Sequence, residues 1–362
     1  MTPLAETLAG HARKADLWEP IDSKRIRCYA CGHRCPIFEG QAGVCKVRFN
    51  RRGALYAPWG YVAGVQSDPI EKKPFFHVLP GSLALSFGML GCDLHCAYCQ
   101  NWVSSQALRD PKAAAPVRET RPEELTAYAL RTGARSVVST YNEPLITAEW
   151  AAEVFREAKK AGLLTGFVSN GNATPEALEY LRPHLDLYKV DLKSFDDRRY
   201  RELGGRLEPV LDSIRRIHKM GFWLEVVTLV VPGFNDSEQE LTQIAEFLAG
   251  VSADIPWHLT AFHADYKMAG IESTPPASLV RAAAIGKRAG LRYVYAGNAP
   301  GRTGNLENTI CSGCGETLVA RHGFLVLVCK VTRQGGCPRC GLPIPGVWRP
   351  PRSGDGRAAG LS

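Results

Sequence analysis

The chain has 362 residues and a formal net charge of +8, with 45% hydrophobic and 22% charged residues. This length predicts one main domain with one or two small additions, and the composition excludes disordered, collagen-like and coiled-coil chains. The sequence has no run of about 18 apolar residues and no apolar N-terminal segment of the secretory type, so we expect a cytoplasmic protein outside the membrane.

The positive charge is concentrated at the two ends of the chain. The first 80 residues carry 12 Lys and Arg against 7 Asp and Glu, and residues 301–362 carry 8 against 3. Basic ends of this kind are either solvated surface or a docking face for an acidic partner, such as a reductase, a protein substrate or nucleic acid. The twelve cysteines form three groups, which in a reducing compartment indicate metal sites rather than disulfides.

The middle of the chain alternates strand-like and helix-like segments, which predicts an α/β fold with a parallel sheet covered by helices. The predicted strands are 83–87, 136–140, 165–169, 187–192, 223–231, 257–262 and 291–295. Helices are expected at 121–132, 147–161, from 174 onward, 207–219, 236–248 and 276–289, with a capping box from Thr120 to Glu123 and Asp236 as an N-cap. In parallel barrels, polar residues that follow the strands converge on one mouth, where the chemistry takes place.

Three cysteines, Cys92, Cys96 and Cys99, follow the first of these strands and are separated by three and then two residues. Three thiolates give a [4Fe–4S] cluster three protein ligands and leave one iron open, whereas an electron-transfer cluster or a structural zinc ion normally takes four. The pattern therefore predicts a cluster that binds a substrate or cofactor at its open iron. The alternative is a zinc site completed by His95 or a distant residue.

The segment CDLHCAYC, residues 92–99, resembles the C-x3-C-x-aromatic-C motif of the radical S-adenosylmethionine (SAM) enzymes. The resemblance implies a partial (β/α)6 barrel of the TIM type that holds a [4Fe–4S] cluster on Cys92, Cys96 and Cys99. In that superfamily the open iron binds the amino and carboxylate groups of SAM. Reduction then cleaves the C–S bond to give a 5′-deoxyadenosyl radical.

The resemblance also implies contacts to the cofactor. Glu143, in Tyr-Asn-Glu-Pro, stands where relatives hold the methionine amino group, and Lys193, in Asp-Leu-Lys, stands where the glycyl-radical activating enzymes meet the methionine carboxylate. His258 occupies the place of a histidine that contacts the ribose. The full implied set is Tyr98, Asn142, Glu143, Asn170, Asp191, Lys193 and His258. The structural alternatives are a helix cap for Glu143, a surface lysine for Lys193 and a hydrogen-bonded strand histidine for His258.

Over nearly its full length the chain resembles the radical enzyme of the AmmeMemoRadiSam system more closely than the activating enzymes, such as that of pyruvate formate-lyase. The shared features include the cysteine motif at 28–45, the segment 68–74, residues 99–102 and residues 256–258. The activating enzymes lack the terminal cysteine motifs. They also carry an arginine before Val-Pro-Gly and an acidic residue before Asn-Gly that are absent here.

Four cysteines near the N-terminus form an irregular set with His33 as a spare ligand: Cys28, Cys31, Cys35 and Cys45. Zinc and a second iron–sulfur cluster are both compatible with this set. In the linker that follows, Glu71 is expected either in a buried ion pair or in contact with a substrate.

The C-terminal cysteines form two Cys-x2-Cys knuckles, Cys311 with Cys314 and Cys337 with Cys340. Four thiolates on two such turns predict a structural zinc ion, as in a zinc ribbon, or a single iron, as in rubredoxin. Cys329 is left over and is expected to be a core thiol of an apolar strand.

These observations predict a cysteine-rich N-terminal segment (1–80), a radical SAM barrel (81–300), a zinc-ribbon-like domain (301–349) and a disordered tail (350–362). We expect a radical SAM enzyme that takes electrons from a reductant such as flavodoxin or ferredoxin and abstracts hydrogen from a protein or small-molecule substrate. Neither a membrane nor a nucleic acid is an expected partner. The alternative is a zinc protein that binds nucleic acid through its basic ends and performs no radical chemistry.

Overall fold

The computed structural model describes residues 3–350, and the N-terminal part of this range forms small antiparallel sheets. Its elements are helix α1 (Pro3–Gly10) and strands β1 (Ala12–Lys14), β2 (Trp18–Pro20), β3 (Arg25–Cys28), β4 (Pro36–Phe38), β5 (Phe49–Arg51), β6 (Ala54–Pro58) and β7 (Tyr61–Val62). Two three-stranded sheets, in the orders β1-β6-β5 and β2-β3-β4, carry the first cysteine group.

The central part of the chain alternates strands and helices. Its strands are β8 (Gly64–Pro69), β9 (Leu83–Gly88), β10 (Arg118–Glu119), β11 (Ser136–Ser139), β12 (Leu164–Ser169), β13 (Leu187–Asp191), β14 (Trp223–Val230), β15 (Trp257–Ala261) and β16 (Val294–Gly297). Its helices are α2 (Trp102–Ser105), α3 (Pro122–Arg131), α4 (Ala148–Lys160), α5 (Pro175–Leu181), α6 (Asp197–Glu202), α7 (Leu207–Lys219), α8 (Glu238–Val251) and α9 (Pro276–Arg288). Short 3-10 helices lie at Ile70–Lys72, Pro144–Thr147 and Tyr266–Met268.

Eight of these strands form one sheet in the order β8-β9-β11-β12-β13-β14-β15-β16, and β10 pairs with β7. Every pair from β9 to β16 is parallel, and only β8 runs antiparallel to its neighbour. Six helices, α3, α4, α5, α7, α8 and α9, connect the seven parallel strands. The predicted α/β class and the partial (β/α)6 barrel are thus confirmed.

The inner and outer faces of the barrel strands follow the two-residue period of β structure. The inner positions of β13, β14 and β15 line a cavity; they are Lys189 and Asp191, Val227 and Leu229, and His258 and Thr260. The outer positions, such as Tyr188 and Val190, are buried in the main hydrophobic core. This alternation brings charged side chains into the barrel without exposing its apolar face.

The last part of the described chain forms a three-stranded antiparallel sheet, β17 (Thr309–Ile310), β18 (Thr317–His322) and β19 (Leu325–Cys329). Cys329 is exposed, so its expected role as a core thiol is wrong. The reason is that β19 is the edge strand of this small sheet, and three other apolar side chains on it, Leu325, Leu327 and Val328, are exposed as well.

Most element boundaries differ from the sequence prediction by one to three residues, and three of these differences have an identifiable cause or shift the element as a whole. Helix α3 begins one residue later than the predicted capping box, because the Thr120 hydroxyl donates to the Arg118 carbonyl and Glu124 accepts the Arg121 N–H at 3.0 Å. Ser237 rather than Asp236 caps α8. The last barrel strand covers Val294–Gly297 and not 291–295.

No helix between residues 3 and 350 is long and apolar enough to cross a membrane. The predicted disordered tail lies outside the described residues from position 351 onward.

Candidate active site

Two adjoining cavities lie at the carboxyl ends of the parallel strands. The smaller has a volume of about 100 Å³ and is lined by all three barrel cysteines, Cys92, Cys96 and Cys99. The larger, of about 400 Å³, shares Cys96 and Cys99 with it and is also lined by Lys72 and Phe324. The barrel thus places the predicted cysteines beside a space in the size range of small-molecule sites.

The three barrel sulfur atoms surround the smaller cavity without converging on one point. Within residues 3–350, only the four C-terminal cysteines bring three or more Cys, His, Asp or Glu ligand atoms within 4.8 Å of one another. A single zinc ion, with Zn–S bonds of about 2.3 Å, needs sulfur atoms about 3.8 Å apart. The thiolates of a cubane bind different irons at its corners and lie farther apart. The barrel cysteines are therefore not arranged as the ligands of a single zinc ion, and the ring of His95, the alternative fourth ligand, packs against Gly204.

Hydrogen bonds reach two of these sulfur atoms. The Leu94 N–H donates to Cys92 Sγ at 3.4 Å, and the Ser105 hydroxyl lies 3.2 Å from Cys99 Sγ. Burial raises the pKa of Cys92 well above its usual value, and it raises the pKa of Cys96 to about 12 although Lys193 acts in the opposite direction. Because a metal ligand must be a thiolate, binding of a metal at these two cysteines is coupled to loss of their protons.

Glu143 is buried at the end of β11 and lines the smaller cavity. Its Oε1 accepts the Ser169 hydroxyl at 2.7 Å and the Leu145 N–H at 3.1 Å, and its Oε2 accepts the Asn170 N–H at 2.8 Å. Burial and the charge of Asp93 raise the pKa of this carboxyl. An ammonium group placed against it would favour the charged form, so Glu143 both caps the 3-10 helix and offers a site for a cation.

Asn142 and Asn170 line the same cavity, but their side-chain polar atoms bond to the protein. Asn142 Oδ1 accepts the Met89 N–H at 2.9 Å, and its Nδ2 donates to the Glu143 carbonyl at 3.2 Å. Asn170 Nδ2 donates to Asp93 Oδ1 at 2.7 Å. Both asparagines therefore position the cysteine loop and Glu143.

Lys193 and Asp191 line both cavities, and they lie at the end of β13, two strands away from Glu143, which follows β11. Asp191 forms ion pairs with Lys189 and, at 3.7 Å, with Lys193 Nζ. Burial alone would lower the pKa of Lys193, but the charge of Asp191, together with Cys96, holds it well above its usual value. Two cations against one carboxylate leave this wall with a positive charge, which suits a carboxylate ligand.

His258 lines the larger cavity from near the start of β15. Its Nε2 lies 2.6 Å from Glu225 Oε2, its ring stacks on Tyr295 at 5.1 Å and the ring of Phe76 meets it edge to face at 4.7 Å. Burial lowers the pKa of His258 in spite of Glu225. The hydrogen-bonded strand histidine is therefore present, and its contact with a ribose stays a prediction.

Tyr98, the aromatic residue of the cysteine motif, is buried and lines the larger cavity. Its ring meets Phe234 edge to face at 5.5 Å. Tyr98 thus lies between Cys96 and Cys99 in the sequence, and its ring contacts the loop after β14 at the wall of the cavity.

Comparison with known proteins assigns the family. A family model for the Radical SAM superfamily matches residues 88–248. An uncharacterized protein of Methanocaldococcus jannaschii is 35% identical over 335 residues, 92% of this chain and 98% of that protein. The pyruvate formate-lyase-activating enzyme of Staphylococcus aureus is 27% identical over 196 residues, 50% of this chain and 76% of the enzyme. A solved radical SAM methyltransferase from Sphaerobacter thermophilus, 13% identical, aligns over 87% of this chain and 85% of its own with a TM-score of 0.47.

The chain belongs to the radical SAM superfamily. The matched range begins at the end of β9 and contains the three barrel cysteines, Glu143 and Lys193. Radical SAM enzymes use SAM and a [4Fe–4S] cluster, and the spacing of the cysteines and the charges on the two walls fit both groups. The finer resemblance to the AmmeMemoRadiSam enzyme stays a prediction.

Two residues of this radical SAM site were missed in the sequence. Asp93 accepts Asn170 Nδ2 at 2.7 Å and Asn172 Nδ2 at 2.8 Å, and it ties the cysteine loop to the loop after β12. Nothing in its surroundings in the sequence marks it. Lys189 precedes Asp191 by two positions, so the two-residue period of β13 could have placed it on the inner face.

The C-terminal cysteines converge as predicted for a closed mononuclear site. Cys311 Sγ lies 3.6 Å from Cys340 Sγ, and Cys314 Sγ lies 3.6 Å from Cys337 Sγ. These distances fit the tetrahedral edge expected of about 3.8 Å around zinc, and a single iron fits the same ligand set. The two knuckles therefore form a site for one metal ion, and both zinc and iron fit it.

The N-terminal cysteines lie near one another but do not converge. Cys28, Cys31 and Cys45 are buried and Cys35 is half-buried. Burial is the main cause that raises the pKa of Cys31 well above its usual value and that of Cys45 to about 11, and the charge of Cys28 acts in the same direction on both. The spare ligand, His33, instead lies with Nε2 3.1 Å from the Asp93 carbonyl.

Glu71 forms the buried ion pair that the sequence offered as one of two alternatives. Its Oε1 lies 3.5 Å from Arg321 Nε, and both side chains are fully buried. Glu71 Oε1 also accepts the Gly81 N–H at 3.1 Å. The linker after β8 is thereby joined to the C-terminal sheet at the wall of the larger cavity, which Glu71 lines.

Proposed function

We propose that this radical SAM enzyme reductively cleaves SAM and uses the 5′-deoxyadenosyl radical to abstract hydrogen from a substrate in the larger cavity. One observation carries the proposal. The smaller cavity is lined by three cysteines that do not converge on a single ion, together with the buried carboxyl of Glu143 and the cation of Lys193. A zinc protein without radical chemistry gives no reason for this combination.

Cys92, Cys96 and Cys99 would hold the cluster, Glu143 the amino group of SAM and Lys193 its carboxylate. When bound, these groups supply an electron-driven cleavage of the C–S bond. The protein contributes orientation, because the two charged ends of the methionine part would bind to two different side chains, which follow β11 and β13. The hydrogen bond between Ser105 and Cys99 adjusts the electron density on that sulfur.

The wall of the larger cavity combines apolar and charged side chains. Val168, Val227, Leu229 and Phe76 form apolar parts of the wall, and Lys189, Asp191 and Lys193 supply its charges. A substrate with both apolar and charged groups would find partners for each kind of group there.

The substrate is proposed to be a protein residue, as for an activating enzyme. The support is the 27% identity to a pyruvate formate-lyase-activating enzyme over half of the chain. A small molecule is the second candidate, because about 400 Å³ also accommodates one. The electron donor is proposed to be a flavodoxin or ferredoxin, for which the basic ends of the chain offer complementary charge.

The test is anaerobic incubation of the cluster-loaded protein with SAM and dithionite, followed by measurement of 5′-deoxyadenosine. We expect the wild type to form it and Cys96→Ala to lose activity by at least about a thousandfold, because the variant lacks one of three cluster ligands. Cys329→Ala is the matched control, since that cysteine is exposed and lines neither cavity. A cluster-loaded wild type that neither binds nor cleaves SAM would contradict the proposal.

A further inference from the structure

We propose that Cys28, Cys31, Cys35 and Cys45 hold a second, polynuclear iron–sulfur cluster rather than a zinc ion. The inference goes beyond the proposed function and does not depend on it, because it concerns the N-terminal sheets and not the barrel site. Four observations support it.

The first observation is the spacing of the sulfur atoms, for which the C-terminal site provides an internal comparison. There the four sulfurs come together, with two pairs at 3.6 Å. The N-terminal four do not form such a group, and neither do the barrel three, within residues 3–350. One ion requires all its ligands at bonding distance, whereas a cluster spreads them over several irons. Among the described residues, the N-terminal set thus resembles the barrel set in lacking the tight grouping of the C-terminal site.

The second observation is the chemistry of the ligands. His33, the residue that would make a mixed zinc site, directs Nε2 to the Asp93 carbonyl. The remaining ligands are four thiolates, which are the full protein complement of a closed cluster. The site therefore differs from the barrel cluster in having no open iron for a substrate.

The third observation is an unused donor beside the thiols. Arg48 is 1% exposed and forms two hydrogen bonds of 2.7 Å with Glu149, but its Nε has no acceptor within residues 3–350. Its guanidinium is an electrostatic neighbour of Cys28 and Cys45. A buried N–H without a partner is costly, and sulfur atoms of a cluster are acceptors that would satisfy it.

The fourth observation is the close packing of this segment on the barrel loop. Gly91, which precedes Cys92, has φ of +95°, and a Cβ there would lie 3.2 Å from the Cys45 carbonyl and 2.9 Å from Val47. The loop that carries Cys45 thus rests directly on the loop that carries the first barrel ligand. The segment that would hold the second cluster is therefore in direct contact with the loop that carries the barrel cysteines.

The test measures iron, acid-labile sulfide and zinc in full-length protein purified anaerobically as expressed. The decisive variant is Cys92→Ser/Cys96→Ser/Cys99→Ser, which empties the barrel site and leaves the N-terminal segment untouched. We expect it to retain about four irons with matching sulfide, half of the wild-type content, since a cubane contains four of each. Labile sulfide is the deciding readout, because a single iron at the C-terminal knuckles brings none.

Adding Cys31→Ser and Cys45→Ser to this variant should remove the remaining iron and sulfide, whereas adding Cys329→Ser should leave them unchanged. A triple variant without labile sulfide but with a second zinc ion overturns the inference. That outcome is separate from a failure of the proposed function, which appears as a wild type that carries iron and sulfide but does not cleave SAM. If the five-fold variant does not fold, the triple variant decides alone.

Discussion

The C-terminal cysteines and the barrel cysteines are the same residue type in opposite surroundings. The C-terminal four close on one another, and Cys311 and Cys337 are buried in a hydrophobic cluster with Leu318 and Tyr293. The barrel three stay apart and share their cavity with Glu143 and Lys193. Four protein ligands that complete the coordination of one metal ion make a structural site that stabilises the fold. A site with three protein ligands and charged neighbours leaves a coordination position for a further molecule, such as a cofactor. Perturbing the first should change stability, and perturbing the second should change activity.

The largest effect is expected from Cys311→Ser at the closed site. Loss of one of four ligands should release the metal, and structural zinc sites carry binding free energies on the order of 10 kcal/mol. We expect the variant to lose one metal equivalent and to unfold at a clearly lower temperature, with the barrel iron content unchanged. Metal analysis and thermal unfolding check this. Cys329→Ser is the control, and equal melting temperatures for the two variants would remove the distinction between the sites.

The next effect concerns the joint between the C-terminal sheet and the barrel wall. Arg321→Met leaves Glu71 buried without its cation, and such removal costs about 3–5 kcal/mol. Urea unfolding should show this loss, and the double variant with Glu71→Gln should recover part of it. Arg288→Met is the matched control, because Arg288 and Glu238 are both exposed and their pair contributes at most about 1 kcal/mol. Equal losses for the two single variants would show that the joint is not energetically special.

The fold was predictable because the alternation of strands and helices has strong local signals, such as Thr174-Pro175 and the glycines after the helices. The barrel cysteines were predictable because all three lie within eight consecutive residues. Glu225 and Asp93 were not, because each acts across the fold: Glu225 accepts the N–H groups of Phe76 and His77, nearly 150 residues away. Cys329 was placed in the core because its strand is apolar, and only the sheet order shows that this strand is at the edge.

A third effect on stability, of about the same size, depends on pH and concerns His77, which is hydrogen-bonded to the C-terminal part of the chain. His77 is fully buried; its Nδ1–H donates to the Pro345 carbonyl at 2.6 Å, so its Nε2 accepts the Tyr295 hydroxyl at 2.6 Å. Burial lowers the pKa of His77 from 6.5 to about 4. The unfolded chain therefore binds this proton more readily. The stability from the neutral ring is complete above about pH 6.5 and falls by about 3 kcal/mol as the pH drops towards 4.

His77→Gln should flatten this pH dependence of the free energy of unfolding between pH 6.5 and 4, although it will lower stability at pH 7. His218→Gln, at an exposed position of α7, should keep the wild-type slope. Urea unfolding at a series of pH values checks both. A wild-type slope in His77→Gln would mean that other groups cause the acid sensitivity.

The smallest change in free energy, but the one most specific to the open site, is expected from Lys193→Met. A hydrogen bond to a charged group contributes about 1.5–3 kcal/mol, so SAM should bind about tenfold to a hundredfold more weakly. Asp191 keeps its ion pair with Lys189 in this variant, so the melting temperature should change little. Equilibrium dialysis of labelled SAM with cluster-loaded protein checks the affinity.

Lys159→Met is the matched control for Lys193→Met. Lys159 also pairs with a buried carboxylate, that of Asp186, but it lines neither cavity. It should therefore lose stability without losing affinity for SAM. Because Lys193 is proposed to hold the cofactor carboxylate, its loss should raise the KM for SAM more than it lowers kcat. A fall in kcat alone, with SAM affinity intact, would move Lys193 from the cofactor to the substrate. The open site would then owe its selectivity for SAM to Glu143 and the cluster alone.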